Sequence, residues 1–169
     1  METANWSPAL LLGYNPMDEA HRTFANLLAQ AQAAPDHALP GAWADLVTHT
    51  EQHFGQEDEW MQTTAYPSAT QHTLEHRVVL NLMREGLGQA QGGELAPVRQ
   101  MANELWAWFL RHTQSLDAAL ALHLRRVQVA GSPMPTLPQA SIQRGDHHGA
   151  EHSATRGTDT ARRTPRLGI

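Results

Sequence analysis

Two stretches of the chain repeat one spacing between side chains that bind metals or move protons. His53 precedes Glu57 by four residues in HFGQE, and His72 precedes His76 by four in HTLEH. Residues four apart on an α-helix sit about 40° round and about 6 Å along the axis, so each pair addresses a single point. DEAH contributes His21, and FLRHTQSLD contributes His112 and Asp117. The five-residue step from His112 to Asp117 amounts to about 140° on an ideal helix, which predicts a local distortion or an oblique approach by the carboxylate.

These residues amount to five imidazoles and two carboxylates. A lone helical histidine is usually a surface or satisfied core residue. Donors on the inward faces of several helices need a common partner, because unpaired polar groups are costly in an apolar interior. The set exceeds what one tetrahedral zinc takes and suits two first-row metals bridged by carboxylates. Iron is favoured, since imidazole and carboxylate together suit it and thiolates are absent. HTLEH also spells H-x-x-E-H, the inverted zinc-peptidase signature. That reading leaves His21, His53, Glu57 and Asp117 without a role and needs a larger substrate-binding architecture. Ferritin-like carboxylate centres require paired E-x-x-H elements, and none is found in the helices. His37, His49 and His123 join no such set and read as surface or partly buried residues.

Positioning these donors requires helices. Asn15-Pro16 reads as an N-cap followed by proline, with Asp18 and Glu19 in the first turn, and predicts a helix from Pro16 to Ala33. Met17, Phe24, Leu27 and Leu28 mark its apolar side. Pro40 opens a second segment in which Trp43, Leu46, Val47, Phe54 and Met61 recur at helical spacing. Ser68 and Gln71 form a capping-box pattern that predicts a third helix from Ala69 through Leu74, Val78 and Leu82 to the glycine-rich GLGQAQGG. Pro97 starts a fourth, with Leu105, Trp108, Leu116, Leu120 and Leu124, closing near Gly131. Four amphipathic segments with short connections predict an all-α, up-down antiparallel four-helix bundle over residues 1–130. Residues 131–169 mix proline, glycine, arginine and histidine without apolar periodicity, and are expected to form a disordered tail. His147, His148 and His152 would meet metals there only adventitiously, with no rigid scaffold to hold them.

Composition narrows the chemistry further. The 169 residues are 41% hydrophobic with a formal charge of -5, an ordinary globule rather than a nucleic-acid binder. There is no cysteine, which removes disulfides, iron–sulfur clusters and thiolate nucleophiles. All 12 basic side chains are arginine, so Schiff-base and phosphate-loop lysines are excluded. The apolar run near the N-terminus, Ala9 to Leu12, is too short for a secretory segment, and no stretch approaches the ~20 apolar residues of a membrane span. A cytoplasmic protein with no membrane association is expected. Five arginines face three acids in the tail, against seven and fourteen before it, so weak attraction is expected; the sequence names no protein partner.

In order, DEAH, HFGQED with Met61, Tyr66-Pro67, HTLEH and WFLRHTQSLD make the chain resemble the hemerythrin family, within it the single-domain bacterial members, over about residues 6–125. The resemblance implies a non-haem diiron centre. His72, His76 and His112 would fill one iron, and His21 and His53 would serve the second. Glu57 and Asp117 would bridge the two beside an oxo or hydroxo group. The iron with fewer histidines keeps an open position, where dioxygen is expected. Phe54 and Trp108 are suited to line a dry oxygen pocket. The implied function is reversible dioxygen binding for storage, delivery or sensing, and the absence of a spare general base favours binding over catalysis. Alternatives on the same centre are a redox enzyme acting on peroxide or nitric oxide, or an iron-handling or signalling module. The chain departs from the family pattern at Ala20, Val79 and Ser115. The hydroxyl of Ser115, where the invertebrate carriers have an apolar pocket residue, is expected to bear on water entry and oxidation rate.

Overall fold

The computed structural model of the chain describes residues 3–131. The expected tail of residues 131–169, apart from Gly131 at the end of the last helix, lies outside the described residues together with its three histidines. Helices α1 (Asn15–Ala33), α2 (Leu39–Thr63), α3 (Ala69–Gln91) and α4 (Leu95–His112) are followed by a π-helical turn (Thr113–Asp117) and α5 (Ala118–Gly131). From Leu95 to Gly131 the helical backbone is unbroken, so these segments make four rods. α1 packs on α2 and α4, α2 on α3, and α3 on α4, closing a ring. Gln32 near the end of α1 donates to the Ala102 carbonyl near the start of α4 at 3.2 Å. Thr73 at the start of α3 donates to Asp58 late in α2 at 2.7 Å. Neighbouring rods are therefore antiparallel, and the chain forms the expected all-α up-down bundle. Among the described residues no helix is long and apolar enough to cross a membrane.

Inward positions run apolar, polar, apolar along every rod. Phe24, Leu28, Trp43, Leu46, Met83 and Phe109 belong to a large buried cluster. Met17, Met61, Leu120 and Leu124 form a smaller one. In α1 His21 falls between Met17 and Phe24, and in α2 His53 and Glu57 fall between Val47 and Met61. The polar layer is sandwiched between two apolar ones. The Trp43 indole closes the larger cluster by donating to the Met83 carbonyl at 2.9 Å. A Cβ on Gly86 would stand 3.2 Å from that indole nitrogen, so the glycine permits the approach.

Three local expectations change. Asn15 is the first helical residue rather than the cap, and Tyr14 precedes it without a side-chain cap. Asp18 instead accepts hydrogen bonds from the backbone of Leu12 at 2.7 Å and Gly13 at 3.0 Å, fixing the incoming segment. Ser68 does start α3, but its hydroxyl makes no capping bond. The larger change concerns α3. Leu74, Val78 and Leu82 are about half exposed, whereas His72, His76, Val79 and Met83 are buried. Leu74 is two residues past His72, about 200° around the helix, so turning the imidazoles inward turns this apolar stripe outward.

The ends of α2 and α3 share one motif with different residues. After α3, Gly93 adopts φ 87°. Its N–H donates to Ala90 at 3.1 Å and that of Glu94 to Gln89 at 2.9 Å. After α2, Ala65 takes the equivalent place at φ 50°. Its N–H donates to Gln62 at 3.3 Å and that of Tyr66 to Met61 at 2.9 Å. Both are Schellman closures, in which glycine alone avoids a left-handed penalty. Ala65→Gly is therefore expected to raise unfolding stability by about 1 kcal/mol, and Gly93→Ala to lower it comparably, as read by urea denaturation. A stability loss in Ala65→Gly would contradict this account.

Candidate metal centre

All seven donors predicted from the sequence converge in the polar layer, each no more than 5% exposed. α1 supplies His21, α2 supplies His53 and Glu57, α3 supplies His72 and His76, and His112 and Asp117 flank the π turn. Among the described residues two groups could hold a metal ion: Glu57, His72, His76, His112 and Asp117, and His21, His53 and Glu57. The carboxylates divide their oxygens between them. Oε2 of Glu57 lies 3.2 Å from His76 Nε2 and 3.4 Å from His72 Nε2. Oε1 lies 2.8 Å from His53 Nε2 and 3.8 Å from His21 Nε2. Oδ1 of Asp117 is 3.0 Å from His72 Nε2 and 3.1 Å from His112 Nε2. Oδ2 is 3.1 Å from His21 Nε2.

The expected distortion between His112 and Asp117 takes the form of the π turn Thr113–Asp117. A π turn closes i to i+5, so a five-residue step returns Asp117 to the face that His112 occupies. Downstream, Leu120 and Leu124 re-enter the smaller apolar cluster. π turns disturb regular helix packing and commonly occur at functional sites. Here the widened turn brings a carboxylate under both groups of imidazoles.

Electrostatics show what these atoms need. Burial works against charge on His21, yet the facing carboxylates of Asp117 and Glu57 outweigh it and raise its pKa to about 9. The same balance raises His72 to about 9. Burial also opposes ionisation of Glu57, but the surrounding imidazoles hold its carboxyl well below the usual range. Asp117 is likewise lowered against burial and the charge of Glu57, by the imidazoles of His112, His21 and His72 that face it. Oδ1 and Oδ2 of Asp117, Oε2 of Glu57, Nε2 of His21 and Nε2 of His76 are buried without a well-formed hydrogen bond. Such orphaned donors facing one another, with no sulfur among them, fit two first-row metal cations.

A pH dependence follows. Without metal, the stabilisation carried by His21 and His72 is complete below about 6.5 and is lost as pH rises through about 9. The part carried by the two lowered carboxylates is present above about 4 and is lost as pH falls further. Metal must displace a proton from His72 in one group and from His21 in the other. Apparent Co(II) affinity is therefore expected to weaken at least about tenfold per pH unit below 9, His76 being raised as well, measured by competition with a chelator of known pH behaviour. A pH-independent affinity between 6 and 8 would refute the assignment of those protons.

The aromatic residues are placed less evenly than expected. Phe54 stacks on His76 at 4.0 Å and reaches His53 at 5.5 Å. Trp108 stacks on His112 at 4.5 Å. Both therefore sit chiefly against the three-histidine group. His21, in the other group, meets Phe109 edge-on at 5.4 Å and Trp6 at 6.3 Å. Sequence reasoning missed these two; Phe109, three residues before His112, carried a helical-spacing signal. Ser115 is exposed and donates to the Arg111 carbonyl at 2.6 Å, so its hydroxyl serves the π turn rather than the interior. His49 donates from Nε2 to the Ala20 carbonyl at 2.9 Å, His123 lies 3.0 Å from the Thr64 hydroxyl, and His37 is exposed; none joins either group.

Fold and site together define a helical bundle built around paired histidine–carboxylate groups that could each hold a metal ion. The family profile described as the hemerythrin HHE cation binding domain matches residues 12–121, and the chain belongs to the hemerythrin family. It is 34% identical over 124 residues to the bacteriohemerythrin of Ralstonia nicotianae, covering 73% of this chain and 90% of that one. It is 28% identical to the bacteriohemerythrin of Stenotrophomonas maltophilia over 120 residues, 69% of this chain and 78% of that one. A third bacteriohemerythrin, of Pseudomonas paraeruginosa, is 26% identical over 117 residues, 67% of this chain and 76% of that one.

Proposed function

We propose that the chain binds dioxygen reversibly, without catalysing a reaction, at a non-haem carboxylate-bridged diiron centre, and that it does so in the cytoplasm for storage, delivery or sensing. The observation that carries this reading is the unequal pair of pockets around shared carboxylates. His72, His76 and His112 offer three nitrogens on one side, and His21 and His53 offer two on the other. Glu57 and Asp117 present one oxygen to each side. The side with two nitrogens therefore lacks one donor. Two iron ions, when bound, supply the electrons and the open coordination position for reversible dioxygen uptake.

The protein's own part is to hold and to shield. Glu57 and Asp117 fix the separation of the two pockets. Buried Met17 and Phe24 flank His21 along α1, and buried Phe109, stacked on Phe24, meets the His21 ring edge-on; together they keep water from the donor-poor side. The test is iron stoichiometry combined with the visible spectrum of reduced protein, before air, after air, and after its removal. Two irons per chain and a charge-transfer band that appears with air and vanishes without it would support the reading. Irreversible oxidation would favour a redox enzyme acting on peroxide or nitric oxide, and zinc in place of iron would overturn both.

A further inference from the structure

We propose that Asp58 and Glu75 are positioning residues that orient and strengthen two histidines of the three-histidine pocket, making the two metals electronically unequal; this rests on the diiron reading above. Both carboxylates reach across from a neighbouring rod. Asp58 on α2 accepts from His76 Nδ1, on α3, at 3.1 Å. Glu75 on α3 accepts from His112 Nδ1, at the end of α4, at 3.2 Å. With Nδ1 holding the proton, each ring presents a bare Nε2 to the interior, the atom that faces Glu57 or Asp117. The tautomer a metal needs is thus set from outside the pocket.

The pattern is one-sided. Nδ1 of His21, of His53 and of His72 is buried without a hydrogen-bond partner. Both carboxylate–imidazole pairs therefore fall on one metal, and among the described residues neither histidine of the other pocket has one. A carboxylate accepting from Nδ1 pushes electron density into the ring and makes Nε2 a stronger donor, which favours the higher charge on the metal it holds. The metal held by three histidines should then be the harder to reduce and the slower to dissociate. Its partner, with weaker donors and fewer of them, should be the labile one. Asp58 and Glu75 are 38% and 40% exposed, so neutralising either leaves the core untouched.

The experiment titrates full-length protein with Co(II), following the ligand-field bands and the number of ions bound, and then records the redox couples of the iron-loaded protein by spectroelectrochemistry. Wild type, Asp58→Asn, Glu75→Gln, the double variant and Asp45→Asn as an exposed control are compared at equal helical content. The expected result is that each amide variant still takes two ions but loses roughly 10- to 100-fold affinity for one of them, with the other unchanged. One of the two iron couples should shift positively, the double variant should exceed either single, and Asp58→Glu should recover part of the loss. Variants indistinguishable from wild type would overturn the proposal, as would equal weakening of both ions, which marks general loosening. A wild-type chain holding fewer than two Co(II) ions would overturn the diiron reading itself; two ions in wild type with unaltered variants would overturn this inference alone.

Discussion

Glu57→Ala is expected to cost the protein both metals on the proposed reading, because this carboxylate belongs to both donor groups and gives one oxygen to each. Its oxygens point to opposite pockets, one 2.8 Å from His53 and the other 3.2 Å from His76. Asp117 is the only other carboxylate in these two groups among the described residues, and the Glu57 position is fully buried. Removing one partner of a buried charge set strands the others. Between about pH 4 and 9 the metal-free variant should therefore lose about 3 kcal/mol of stability as well. Glu57→Gln separates the two effects, keeping the volume and one carbonyl oxygen while removing the charge. It should retain most of the packing and still fail to hold two metals. Metal analysis after desalting, with denaturation of the metal-free forms, checks both points. Two tightly held metals in Glu57→Ala would end the shared-carboxylate description, and loss of only one would confine Glu57 to a single pocket.

A different outcome is expected when a ligand belongs to one pocket alone. His53→Ala leaves His72, His76 and His112 in place and removes half of the nitrogen donors of the other pocket. That pocket should weaken by more than the roughly 10- to 100-fold that loss of a supporting hydrogen bond costs. About one metal per chain should survive, held by the three-histidine group. On the proposed diiron reading the air-dependent band should vanish even so, because the pocket assigned the open position is the one emptied. His37→Ala, at an exposed site, should change neither metal content nor spectrum. Equal loss of metal in the two variants would sink the ligand map. The contrast between Glu57 and His53 tests whether there are two pockets or one diffuse cluster.

Residue types, spacing and punctuation decided much of this protein before any coordinates. Metal-binding side chains are few in kind, and helical geometry allows few spacings at which two of them share a target. His53 with Glu57 and His72 with His76 were therefore legible as pairs. Prolines 16, 40 and 97 marked three helix beginnings closely, because a residue without an N–H is best tolerated in the first turn. Even the strain between His112 and Asp117 was implicit in a five-residue step, although its resolution as a π turn was not. Periodicity gives angles within one helix but not the direction in which that helix faces. On α3 two stripes competed, Leu74-Val78-Leu82 and His72-His76-Val79-Met83. Only the presence of Glu57 and Asp117 opposite decided that imidazoles go inward and leucine outward. Asp58 and Glu75 were unreadable for the same reason: each acts on a histidine of another rod, across a contact that leaves no regular mark in its own segment. The sequence by itself determined which donors exist and how they are spaced along each helix. The tertiary structure alone decided which oxygen of each carboxylate meets which pocket, because that depends on the packing of four rods against one another.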